Sequence, residues 1–302
     1  MGLILKSAQP PWSLGILMMC VGVACLVVND AIAKTLAPDY GPAQILFLRN
    51  LIALPIATIV AYRLGGRSAL ISHRPLAHLF RGGIWFGAAA LFFTSLKYLG
   101  LAEATTLLFA SPVFIVVIAA FLLKEHVGVR RWSAVLVGFL GVIIIIGPSS
   151  INFQPAAFLP LGGAILLAVL MISARWVDAR ESVWTLMLYL VGAGALFSSF
   201  LAPFMWTPIR ATDLWLFFGI AIFGTAGITL ITQAFRVAPA AVLAPLDYTA
   251  LLWSVLLGWL IWREIPDLNT YVGALIIILS GFFLIRRDPQ IKSVDIDETK
   301  AT

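Results

Sequence analysis

Two stretches decide the fold: LLKEHVGVRRWSAVLVGFLGVIIII at 122–146 and LIWREIPDLNTYVGALIIILSGFFLI at 260–285. Each runs from the end of one apolar segment, through a Glu and a short polar turn, into a second apolar segment. A gap-free shift of 139 residues places Lys97 on Arg236, Ala102 on Ala241, Glu125 on Glu264 and Ala134 on Gly273. Gly141 and Gly281 miss that register by one residue. The chain therefore contains the same unit twice.

Working outward from these copies, apolar runs punctuated by Gly, Pro and charges predict spans at 13–34, 42–62, 77–97, 102–123, 130–147, 156–175, 183–204, 213–235, 240–261 and 269–285. About 20 apolar residues cross a bilayer as a helix, and an open backbone in hydrocarbon cannot satisfy its own polar groups. The expected fold class is thus an all-α integral membrane protein with ten transmembrane helices in two five-helix repeats. The expected units are 1–147 and 156–286, with 287–302 as a cytoplasmic tail. Because five spans separate the copies, the repeats must insert in opposite directions. That inversion is the signature of a secondary transporter whose site lies at mid-membrane between the halves.

Composition agrees with this reading. Hydrophobic residues make up 61% of the 302, charged residues 11%, and mean hydropathy is +1.02. A soluble domain carries roughly a quarter of its residues as charges. The net charge of +6 does not indicate nucleic acid, because the basic residues are scattered through short loops. With the N-terminus placed in the cytoplasm, 15 of the 20 Lys and Arg fall on the cytoplasmic side and 4 on the other, with Arg49 inside a span. The positive-inside rule then puts both termini in the cytoplasm of a bacterial-type inner membrane. The triplet Ala31-Ile32-Ala33 resembles a signal-peptidase site, but the preceding apolar run is long and Asn29-Asp30 would precede the cut, so a retained first helix is expected. Partners expected are a small-molecule substrate and the lipid bilayer, with a homodimer also compatible.

No enzyme constellation is visible. Cys20 and Cys25 fall inside the first apolar segment, and His73, His78 and His126 are read in loops, so neither a metal site nor a catalytic site is expected. No GxxxxGK[ST] phosphate loop occurs, and no cofactor is implied.

An ionisable group in mid-membrane costs roughly 3 kcal/mol and needs a partner or a water-filled cavity. Asp247, about seven residues into the ninth span and beside Pro245, is the first candidate for substrate contact or ion coupling. Tyr248 follows it, and Gln233 lies at comparable depth on the preceding helix with Thr229 one turn away. Asp30 and Arg49 lie at matching depths on the first hairpin, where a salt bridge could serve as a gate or as a fixed structural pair. Trp85, Phe86, Phe92 and Phe93 could line a cavity for a flat ring or simply pack. Trp132, Trp176, Trp184 and Trp206 fit an interfacial belt. The pairs Gly138 with Gly141, Gly192 with Gly194, and Gly224 with Gly227 offer faces where helices approach closely. Glu125 and Glu264 read as helix-end residues.

The sequence resembles the drug/metabolite transporter superfamily, in particular its EamA-type ten-helix branch. Asn29-Asp30 with Lys34, RPLAHLFRGG at 74–83, SPVF at 111–114, and Glu125 with Glu264 carry the likeness, which covers about 12–286. The second half departs from the pattern. Leu251 stands where a second Pro-Val-Phe would begin, and the proline comes earlier, in APLDYTALLW at 244–253. That variant is similar to the branches of bacterial riboflavin and S-adenosylmethionine uptake carriers. The resemblance implies alternating access without ATP hydrolysis. A cavity with Asp247, Gln233, Tyr248 and aromatics could serve an amphipathic metabolite such as a vitamin, a nucleoside-like compound or an amino acid.

Overall fold

The computed structural model describes residues 12–122, 124, 128–147, 154–173, 181–238 and 240–286. Ten apolar spans follow one another, with ends within about three residues of those read from the sequence. They are α1 (Trp12–Leu36), α2 (Pro42–Gly65), α3 (Pro75–Ser95), the broken pair α4 (Leu101–Leu108) and α5 (Ser111–Phe121), α6 (Val129–Ile146), α7 (Phe158–Ile172), α8 (Val183–Leu201), α9 (Leu214–Val237), the broken pair α10 (Ala240–Asp247) and α11 (Thr249–Leu257), and α12 (Leu268–Arg286). Among the described residues, seven helices are long and apolar enough to cross a membrane alone, and three shorter apolar helices complete the set. Glu125, His126, Trp176 and the tail 287–302 lie outside the described residues.

The packing repeats with the sequence. α1 crosses α9 as α3 crosses α7, α5 packs on α7 as α11 packs on α1, and α3 meets α8 as α9 meets α2. The remaining large crossings, α2 with α8 and α6 with α12, each join equivalent helices of the two halves. Two-fold exchange is visible atom by atom between α6 and α12. The Ser280 hydroxyl donates to the Ala134 carbonyl at 2.9 Å. At the exchanged positions, a Cβ on Gly141 would lie 2.9 Å from the Gly273 carbonyl oxygen. The pairs 134/280 and 141/273 are images of each other under the 139-residue shift. The protein is an all-α membrane protein of two inverted five-helix repeats.

Both repeats interrupt the equivalent helix. Pro112 lacks an N–H and its ring clashes with the carbonyl four residues back, so α4 ends at Leu108 and α5 restarts at Ser111. In the second copy the interruption falls at Tyr248, and the Thr249 hydroxyl takes the Leu246 carbonyl at 2.6 Å. Phe109 and Tyr248, one repeat apart, pack against each other with centroids 5.2 Å apart and planes tilted by 43°. The two breaks therefore meet on the pseudo-two-fold axis.

Each end of the bundle carries a clasp between the halves. At one end the loop after α1 is tied to the segment before α9. Arg210 donates twice to the Asp39 carboxylate at 3.0 Å, Tyr40 donates to Asp213 at 2.6 Å, and Gln44 exchanges two bonds with the Thr207 backbone. The same end holds Lys34, whose amine bonds Glu264 at 2.7 Å and the Leu99 carbonyl at 2.9 Å. Glu264 also accepts from the Leu101 N–H, so a residue read as a helix end joins α1, α4 and the far end of α11. At the opposite end Glu181 accepts from the Ser72 hydroxyl and from the His73 and Arg74 backbone, and pairs with His78.

Two expectations change here. His78 is in the first turn of α3 and buried, not in a loop, because Pro75 starts that helix earlier than expected and Glu181 satisfies the ring. Trp184 does not belong to an interfacial belt. It is 1% exposed, packed under Ala57 and Ala61 of α2 and Ala69 of the turn that follows it. Trp206 is exposed as a belt residue would be.

Candidate functional site

At mid-depth the helices leave a cavity of about 200 Å³. α1 contributes Leu26, Asn29 and Asp30, α2 contributes Arg49, and α3 contributes Trp85, Ala88, Ala89, Phe92 and Phe93. Leu108, Leu167 and Ile228 close it from α4, α7 and α9. Its polar groups are concentrated on the α1–α2 side and its rings on α3.

Asp30 and Arg49, read from the sequence as a gating or structural pair, and Trp85 and Phe92, read as cavity candidates, all line this space. The expected salt bridge does not form. Asp30 accepts from the Asn29 amide at 2.9 Å, whereas the Arg49 guanidinium lies over the Trp85 ring, 5.1 Å from its centroid. Gly224 of α9 makes room for this. A Cβ there would sit 2.6 Å from both the Arg49 Nη2 and the Asn29 Oδ1. Asp30 and Arg49 thus share one wall of the cavity without forming an ion pair. Arg49 Nε, Asn29 Oδ1 and both amide atoms of Asn50 are buried with no hydrogen-bond partner. Buried polar groups are nearly always satisfied, and an unsatisfied one costs about 1–3 kcal/mol. Four such atoms gather on α1 and α2 beside this cavity.

The other candidates are distributed differently. Thr229 follows Ile228 on α9, but its hydroxyl turns to the Met187 sulfur at 3.4 Å. Gln233 is half-buried one turn further and forms no hydrogen bond to Asp247. Asp247 ends α10 at the helix interruption and is exposed, while Tyr248 is half-buried against Phe109. Leu108, the residue equivalent to Asp247 in the first repeat, lines the central cavity.

Sequence reasoning missed Asn50 and the part played by Gly224. Asn50 is next to Arg49 in an apolar run, a signal that was available. Gly224 was read only as a packing residue, since nothing local says which side chain it admits. Of the other glycines, Gly194 faces Asn50 and Trp85, Gly227 meets Leu26 and the Gly22 carbonyl, and Gly138 meets Val113 and Ser280. Gly192 is not a close crossing, its nearest neighbour being Leu54 at 3.8 Å.

A second cavity of about 400 Å³ lies at the Lys34 end, lined by Glu103, Glu264 and Asp267 among others. Its carboxylates sit at helix ends, and Glu264 is already held by Lys34. Glu103 faces this space and forms no ion pair with Lys97.

The family model for the EamA-like transporter family matches residues 13–147 and again 154–286. The chain belongs to the EamA-like transporter family. It is therefore a multi-pass membrane transporter and not an enzyme. Among EamA-family relatives it is 28% identical to an S-adenosylmethionine uptake transporter of Rickettsia prowazekii, over 90% of this chain and 92% of that protein. It is 29% identical to a riboflavin transporter of Vibrio cholerae over 88% and 91% of the two chains, and 25% identical to a pseudopaline exporter of Pseudomonas aeruginosa over 90% and 96%. A solved crystal structure, 21% identical, shares the fold with a TM-score of 0.61 over 89% of this chain and 98% of that one.

Proposed function

We propose that this EamA-family protein is a secondary carrier that moves a small amphipathic metabolite across the cytoplasmic membrane by alternating access, with both termini in the cytoplasm. The observation that carries the reading is the mid-depth cavity between the repeats, with unsatisfied polar atoms on one wall and aromatic rings on another. The relatives named above, which handle S-adenosylmethionine, riboflavin and pseudopaline, support a metabolite of that size. The repeat units are taken as 1–147 and 156–286, and 287–302 as a cytoplasmic tail. The charge distribution supports an orientation with the Lys34 clasp outside and the Glu181 clasp inside. A reporter fused after Thr302 that is active only in the periplasm would remove that orientation.

Asp247 belongs to the same reading. A carboxylate at mid-membrane that the protein leaves exposed must face water or ligand rather than lipid, and it stands where the ninth span is interrupted. The test is counterflow in liposomes with labelled S-adenosylmethionine and riboflavin. Saturable exchange is expected for one class. Asp247→Asn should abolish pH-gradient-driven accumulation while leaving exchange largely intact if the residue couples protons, and should stop exchange as well if it holds the substrate. Wild-type rates and pH dependence in a well-expressed Asp247→Asn protein would end the role. Absence of counterflow for every metabolite tried would end the carrier reading.

A further inference from the structure

We propose that Arg49 is the docking point for a carboxylate of the substrate, so that the transported compound is a zwitterionic, amino-acid-bearing molecule with a flat ring. The inference rests on the carrier reading of the central cavity and deepens it. Arg49 is 6% exposed, its Nε has no partner, and among the described residues its guanidinium forms no ion pair and lies instead over the Trp85 ring. A guanidinium offers a planar fork of donors matched to a carboxylate, and it cannot discharge itself at physiological pH. Leaving such a group dry and unbonded is costly unless something arrives to meet it. Trp85 covers one face of the guanidinium, and Gly224 lets its edge lie against α9, which leaves the cavity as the open direction.

The rest of the cavity fits the remainder of such a molecule. Asp30 faces the same space without pairing with Arg49, so it can take an ammonium while Arg49 takes the acid. Two opposite charges held apart are complementary to a zwitterion and would repel neither of its ends. The Phe92 and Trp85 rings supply the apolar wall for a flat group. A fixed structural ion pair would instead bring Asp30 and Arg49 into contact, and they are not.

The experiment uses purified full-length protein and paired probes: S-adenosylmethionine against its decarboxylated form, phenylalanine against phenethylamine, and riboflavin as a ring without a carboxylate. Binding is read by thermal shift and by competition. Each acid is expected to bind at least tenfold more tightly than its decarboxylated partner, and Arg49→Gln should erase that difference. The melting temperature of the unliganded Arg49→Gln protein should stay close to that of wild type, since the guanidinium has no ion-pair contact to lose. Equal binding of the decarboxylated partners, a preference that survives in Arg49→Gln, or a marked fall in its unliganded melting temperature would each overturn the proposal. If riboflavin alone binds and undergoes counterflow, the carrier reading stands and the carboxylate dock falls. If no probe binds or undergoes counterflow, both fall.

Discussion

Gly273→Leu is expected to cost about 3 kcal/mol or more of folding stability and to yield little monodisperse protein in detergent, because overpacking a close helix crossing cannot be relieved by side-chain movement alone. A Cβ at Gly273 would lie 2.7 Å from the Gly141 carbonyl oxygen and 2.3 Å from Ile145 Cγ1. The first neighbour is backbone, so α6 and α12 would have to separate. Separation would also break the Ser280 bond to the Ala134 carbonyl, which has no water to replace it at that depth. Gly192→Ala is the control. Its nearest neighbour is Leu54 Cδ1 at 3.8 Å, and a change within about 0.5 kcal/mol is expected. Size-exclusion profiles and tryptophan-fluorescence melts would decide the matter, and a Gly273→Leu protein as stable as wild type would show that the crossing is looser than its geometry.

That crossing was legible in outline. Hydropathy located the spans because the bilayer imposes one length scale on all of them. The 139-residue repeat located the inversion because both copies keep a Glu and a polar turn at the same place. What the sequence could not supply was partnering between helices distant along the chain. Arg49 was assigned to Asp30 by depth alone, but the choice between Asp30 and the Trp85 face depends on the space Gly224 opens, which comes from α9. His78 shows the same limit. Its burial is decided by Glu181, more than a hundred residues away, and no local pattern announces that contact. The central cavity is the exception, since charges and rings in apolar runs are rare enough to be noticed one by one.

On the proposed alternating-access reading, the two clasps are the contacts that open in turn. They are related by the inverted repeat: the loop after α1 meets the segment before α9 at one end, and the segment before α8 meets the loop between α2 and α3 at the other. Both are closed here. Opening the first frees the α1–α2 and α8–α9 hairpins to part at that end, and opening the second frees the α2–α3 and α7–α8 hairpins, while the contact of Phe109 with Tyr248 stays at the centre. An alternating carrier opens one end at a time, which rigid repeats achieve by rocking.

Glu181→Ala is therefore expected to loosen the end that carries His78, with a cost of about 3 kcal/mol, because removing one partner of a buried pair leaves its donors unmet. The side chains of Glu181 and His78 are 1% and 3% exposed. Burial by itself would raise the Glu181 carboxyl, but bonds from Ser72, His78 and the His73 backbone outweigh it and hold the group below its ordinary value of 4.5. The sign follows from linkage: a depressed carboxyl stabilises the folded state above its unfolded value and loses that contribution only as pH falls through the lower folded value. The wild-type clasp should thus stay shut through neutral and mildly acidic pH. The readout is a cysteine at Leu190, which with Arg81 and Thr232 lines the small cavity beneath the clasp. Labelling of Leu190→Cys by an impermeant maleimide should speed up at least tenfold in Glu181→Ala at pH 7, the opening equilibrium having shifted by more than the roughly 1.4 kcal/mol that a factor of ten requires. Glu181→Gln, which keeps an acceptor for the Ser72 hydroxyl and the backbone N–H groups, should fall between the two. Equal labelling rates in all three proteins, with unchanged melting temperatures, would mean that the Glu181 cluster does not hold that end closed.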